Sequence, residues 1–143
     1  MLTLTRKQYE IEEKIQLTDE NNNLLYEFMM KITPEEMDEV KNIIFNENDI
    51  KDGRKLSSLE NNGNLQEYDE FEAKVISKAK ERQEQFENIC FKEHKETFKE
   101  KAGNYKYNEM VEMLFDFFVQ TFVEKKSQQI NIMSSHLRKI SNK

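Results

Sequence analysis

At 143 residues, with a net charge of −6 and a single cysteine, the chain has room for one folded domain, or one domain with an extended arm, and for no internal disulfide. An acidic balance excludes the function classes that rest on a broad positive field, general nucleic-acid binding and attachment to anionic membranes. Hydrophobic residues are 36% and charged residues 35%, at a mean hydropathy of −0.92, which suits long solvated helices or a subunit completed by partners more than a large core.

From Tyr9, apolar Tyr9, Ile11, Ile15 and Leu17 alternate with Glu10, Glu12, Lys14 and Gln16. That period of two predicts a half-buried strand. Asp19-Glu20-Asn21-Asn22-Asn23 is a polar turn, and Leu24, Tyr26, Phe28, Met30 and Ile32 alternate again. The pair reads as a β-hairpin, which is marginal alone in water. Its cover is expected from the next helix, from a third strand over Met1–Thr5, or from another copy of the chain. Thr33-Pro34-Glu35-Glu36 then opens a helix to about Phe45, with proline in the first turn and a Thr…Glu capping box.

Between Asn46 and Gln66 the apolar pattern thins, with Gly53, Gly63 and four asparagines among few anchors. The reading here is a flexible loop, with at most one helical turn near 55–60. A second helix is expected from about Gln66 to Lys101, on the order of 50 Å long if unbroken, ended by Ala102-Gly103-Asn104. A third begins near Asn108. In it Glu109, Glu112, Asp116, Gln120 and Glu124 make one polar stripe, while Met110, Met113, Leu114, Phe117, Phe118 and Phe122 fill much of the rest. A helix this apolar should be surrounded on several sides. Val123, Ile130, Met133, Leu137 and Ile140 continue at coiled-coil spacing, with Lys126 in the skipped slot. The expected class is α+β, mainly α: an N-terminal hairpin followed by three helices, the last two long. Its divisions are residues 1–45, a loop 46–66 and a helical region 67–143, within one folded unit.

Little of this points to chemistry. Cys90 and His94 stand four apart, on one face if their helix continues, but no third ligand or orienting group lies at a useful spacing. An enzymatic reading needs a convergent polar pocket around that pair. Asn48 to Gly53 faintly resembles an EF-hand loop, yet Ile50 and Leu59 stand where carboxylates are required. Asp116 falls on the solvated stripe. Tyr105-Lys106-Tyr107 and the tail Arg138-Lys139…Lys143 mix aromatic and basic residues, a pattern that helix-end charge explains without nucleic acid. No glycine-rich phosphate loop or nucleophile elbow appears. No catalytic residue, metal or cofactor is expected, nor any nucleic-acid or membrane partner. Met1–Glu10 lacks the apolar core of a secretory signal, and no run nears the roughly 18 apolar residues of a spanning helix. The lone Cys90 fits a reducing compartment, so a cytoplasmic protein is expected.

The runs Tyr9-Glu10-Ile11…Ile15-Gln16-Leu17, Leu24-Leu25-Tyr26-Glu27-Phe28 and Ile32-Thr33-Pro34-Glu35-Glu36, followed by acidic helices, resemble small tail-assembly proteins of phages and prophages of low-GC Gram-positive bacteria. The closest likeness is to the tail assembly chaperone type, whose genes lie before the tape-measure gene. It covers roughly the first 45 residues, and its motifs are structural. The resemblance implies a non-enzymatic protein that associates with tape-measure or tail-tube subunits in the host cytoplasm. The expected contact surface is Met110, Met113, Leu114, Phe117, Phe118 and Phe122, with Tyr26 and Phe28 of the hairpin, and the expected state is a homo-oligomer. The competing reading is a small acidic phage-encoded inhibitor or regulator of a basic host protein.

Overall fold

Period-two patterning becomes strand, as expected. A computed structural model describes residues 1–141, and the side chains of residues 1–135. Strands β1 (Ile11–Thr18) and β2 (Leu24–Ile32) form a two-stranded antiparallel sheet. Ile11 stands opposite Ile32, Ile15 opposite Phe28 and Leu17 opposite Tyr26, so one face is apolar. The other face is polar: Gln16 donates to Glu27 at 3.1 Å and Lys14 pairs with Glu27 at 3.2 Å. Asp19 builds the turn by accepting from the backbone N–H groups of Asn21 and Asn23, both at 2.9 Å. Asn22 takes the left-handed φ of 63° that asparagine tolerates better than most residues.

Helix α1 (Pro34–Ile44) begins with both halves of the capping box. Glu36 N–H donates to Thr33 Oγ1 at 3.1 Å, and Thr33 N–H donates to Glu36 Oε1 at 3.0 Å. Met37 and Val40 of this helix are buried with Ile15, Phe28, Met30 and Ile32 of the hairpin. Of the three covers considered for the hairpin, the third strand does not form among the described residues: Met1, Leu2 and Leu4 are fully exposed, and the sheet has two strands. The following helix, α1, is realised as a cover, joined by further helices.

The loop expected at 46–66 is instead helix α2 (Asn48–Asn61). Asn46 starts it, its side chain accepting from Asn48 N–H at 2.9 Å. Gly63, at φ 68°, ends it in a Schellman arrangement, with Asn64 N–H on Leu59 O at 3.0 Å and Gly63 N–H on Glu60 O at 3.1 Å. No residue of α2 is fully buried. It lies on helix α3 (Leu65–Phe91), held by half-buried Leu56 and Leu59, by Lys55 over the Phe71 ring at 4.2 Å, and by Arg82 to Asp49 at 2.8 Å. Surface contacts of this kind leave no apolar periodicity to read.

The second helix is also shorter than expected. At Lys92 the backbone turns left-handed, φ 49°, and a 3-10 turn (Lys92–His94) separates α3 from helix α4 (Lys95–Ser141). The Lys92 amine holds the break by donating to Lys31 O at 2.5 Å and to Glu36 Oε1 at 3.1 Å. Phe86, Ile89, Cys90 and Phe91 before the break, and Phe98 after it, complete the core over the hairpin. Within α4, Gly103 leaves helical geometry at φ 79°, ψ 161°, where the stop signal stood. It closes a compact unit, Met1–Gly103, and a second unit follows from Asn104. The fold class is therefore a hairpin followed by helices, but their number is not three. Among the described residues, with short breaks bridged, there are two helical runs, of 28 and 71 residues; by hydrogen bonding there are α1 to α4 and the 3-10 turn.

Thr33→Ala removes half of the capping box at the joint between β2 and α1. It should lower unfolding stability by about 1 kcal/mol, read from urea denaturation; no measurable change would show that the joint is held without the cap.

Candidate interaction surfaces

Cys90 and His94 do come near one another, but not on one helix face. Cys90 is the last core position before the Lys92 break, and His94 closes the 3-10 turn beyond it. With α1 and β2 they border a cleft of about 500 Å³ that also includes Tyr9, Lys31, Glu36 and Lys92. A convergent polar pocket therefore exists, and Glu36, Lys92 and His94 within it already have hydrogen-bond partners. Tyr26 OH and His94 Nδ1 are 2.5 Å apart, and the His94 ring stacks on Phe28 at 4.7 Å with 19° between planes. His94 Nε2 stands 3.4 Å from Glu93. Burial raises the Glu36 carboxyl, but hydrogen bonds from the Thr33 backbone and the Lys92 amine outweigh it and hold the group below its ordinary range.

Cys90 itself is a poor nucleophile. Burial pushes its thiol up to about 12, Lys92 opposing the shift and Glu36 and Glu87 adding to it. The thiolate is the reactive form, so the side chain is chemically quiet near neutral pH. Among the described residues no group of three or more His, Cys, Asp or Glu could hold a metal ion. Asn48 to Gly53 is helical in α2, so the EF-hand likeness has no loop behind it.

Beyond Gly103, the helix buries Tyr107, Val111, Leu114 and Phe118, at steps of four, three and four. Glu112, Asp116, Gln120 and Glu124 are exposed, with Glu109 half-buried, so the polar stripe lies where the pattern placed it and Asp116 is on it. The rest of the helix is less covered than expected. Of the contact residues read from sequence, Met113 is 63% exposed, and Met110, Phe117, Phe122 and Tyr26 are half-buried. Leu114, Phe118 and Phe28 are 3%, 0% and 5% exposed, so they are interior residues and not a contact surface. On a helix apolar around most of its circumference, side-chain type does not reveal which stripe turns inward.

The exposed apolar row lies further along. Val123, Ile130, Ile132 and Met133 are 55%, 53%, 68% and 64% exposed. The coiled-coil spacing from Val123 pointed to three of them; Ile132 lies off that spacing and was missed. Tyr107 is buried, and exposed Tyr105 lies under the Lys106 amine at 5.9 Å, with Lys106 also paired to Glu109 at 3.1 Å. Of the two tyrosines in Tyr105-Lys106-Tyr107, only Tyr105 presents its ring to solvent. The side chains of His136, Leu137, Arg138, Lys139, Ile140 and Lys143, which carry the rest of the seam and the basic tail, lie outside the described residues. Among the described residues no helix is long and apolar enough to cross a membrane.

Compared with protein-family models, with curated proteins and with solved structures, the chain matches none.

The raised Cys90 thiol sets a pH dependence. Its folded value, about 12, lies above the 9.0 of a free thiol, so the folded state keeps a proton that the unfolded chain releases. Its contribution is complete below about pH 9 and is lost as pH rises toward 12. At pH 8 the native protein should react with a thiol reagent at least about tenfold more slowly than the urea-unfolded chain. Equal rates would show an exposed or activated thiol.

Proposed function

We propose that this chain is a non-enzymatic assembly protein that self-associates and binds a long structural partner in the host cytoplasm. The partner is of the tape-measure or tail-tube kind that the N-terminal resemblance implies. One observation carries the reading: the helix beyond Gly103 exposes Met113, Val123, Ile130, Ile132 and Met133 to solvent, far more apolar side chain than a surface helix needs. The unbranched, flexible methionines among them give this surface the adaptability to pack against a helical client. The net charge of −6 keeps a chain with that surface dispersed. The quiet chemistry of Cys90 and the internal pairing of His94 and Glu36 favour a binding role over a catalytic one.

Co-expression with the tape-measure protein of the same phage or prophage genome tests the reading. The client should become soluble and co-purify with the chain. Met113→Asp combined with Ile132→Asp, both at exposed positions, should reduce the captured client by about tenfold or more while leaving the circular dichroism unchanged. Capture unaffected by these substitutions, yet steeply weakened by salt, would favour the acidic-regulator reading instead.

A further inference from the structure

Starting from Glu112, one row of the helix beyond Gly103 advances by alternating steps of four and three: Glu112, Asp116, Val119, Val123, Lys126, Ile130 and Met133. That is an unbroken a/d frame over 22 residues counted from Glu112 to Met133. Val119 is half-buried and the other six are exposed. The charges in the row are segregated, with two acids at its start and one lysine in its second half. Among the described residues neither Asp116 nor Lys126 takes part in an ion pair.

We infer that this row is the contact between two copies of the chain, paired antiparallel. In antiparallel helix pairs an a position packs against a d position of the other helix. One register sets the acid and the lysine nearest the centre of the row against each other. Val119 meets Val123 of the second copy, and by symmetry Val123 meets its Val119, giving two apolar layers at the centre. On either side Asp116 meets Lys126. One step further out, the aliphatic stem of Glu112 covers Ile130. A parallel pair would instead set Lys126 against Lys126, Asp116 against Asp116 and Glu112 against Glu112, and like charges in a seam are strongly disfavoured. Moving the antiparallel register by one step of the repeat in one direction places Asp116 against Val119; a step in the other places Val123 against Lys126. Both separate Asp116 from Lys126 and so lose the two opposite-charge contacts that flank the central valines. The second copy thus completes the seam by charge as well as by shape.

This proposal rests on the self-associating part of the proposed function and names the surface and orientation through which it operates. The seam shares Val123, Ile130 and Met133 with the exposed surface of that proposal, but the variants that test it, at Asp116 and Lys126, differ from those at Met113 and Ile132, so client capture and self-pairing are read separately. The test is a charge exchange followed by analytical ultracentrifugation of the full chain over a range of concentrations. Lys126→Glu and Asp116→Lys each place two like-charged contacts in the seam and should raise the dissociation constant of the dimer by about tenfold or more. The double variant, Asp116→Lys with Lys126→Glu, restores opposite charges and should recover most of the affinity. Both positions are exposed, and circular dichroism verifies that each variant keeps its helix content. A wild-type chain that stays monomeric at every concentration overturns the proposal. A dimer indifferent to the single variants, or a double variant no tighter than either single one, overturns it equally, and leaves client binding to be judged on its own.

Discussion

The structure of the first unit follows from one requirement, that the apolar face of a two-stranded sheet be covered. Two strands cannot supply their own second layer, and a hairpin with Ile15, Phe28, Met30 and Ile32 on one face would expose them all. At about 1.5–3 kcal/mol for each large apolar side chain fully removed from water, that face decides where the helices must go. Helix α1 covers one part through Met37 and Val40. The rest is covered by the end of α3 and the start of α4, whose Phe91 and Phe98 stand 5.7 and 5.9 Å from Phe28. The left-handed residue at Lys92 lies between these two rings. Its unfavourable φ, worth roughly 1–2 kcal/mol, is offset by aromatic packing on both sides and by the hydrogen bonds of its amine to Lys31 and Glu36.

The same requirement accounts for the polar groups of the cleft beside Cys90. The joint between β2 and α1 brings backbone carbonyl and carboxylate groups into the edge of the core, where they need partners. Lys92, Tyr26 and the Thr33 backbone supply them. Further from the hairpin the demands relax: α3 has no buried residue before Phe86, and α2 has none at all. These segments are held by helix geometry, caps and edge contacts, and are the parts of the unit expected to open at least cost.

The helix beyond Gly103 obeys a different balance. It buries one stripe fully and keeps one stripe charged, yet leaves methionine and aliphatic side chains in water between and beyond them. Such exposure has a thermodynamic cost that a lone folded chain gains nothing from, and that a subunit recovers on association. In the row from Glu112 to Met133 the acids come first and the lysine later, which gives any such association a preferred direction.

The sequence by itself determined the elements whose causes are local. Alternation at Tyr9–Leu17 and Leu24–Ile32, the asparagine-rich turn, the Thr33–Glu36 capping box and the break at Gly103 each depend on residues a few positions apart, and each stands where the pattern put it. Tertiary structure decided what depends on distant partners. Helix α2 hid from the periodicity because it lies on α3 through Lys55, Asp49 and two half-buried leucines, leaving no continuous apolar stripe. The turn at Lys92 carries no glycine or proline to announce it, since its cause is a carbonyl 61 residues away. Leu114, Phe118 and Phe28 looked like surface candidates beside Met113, and packing alone sorted them into interior and exterior. Local pattern can say that a segment is helix or strand and how apolar it is; which side faces inward is a property of the neighbours it acquires on folding.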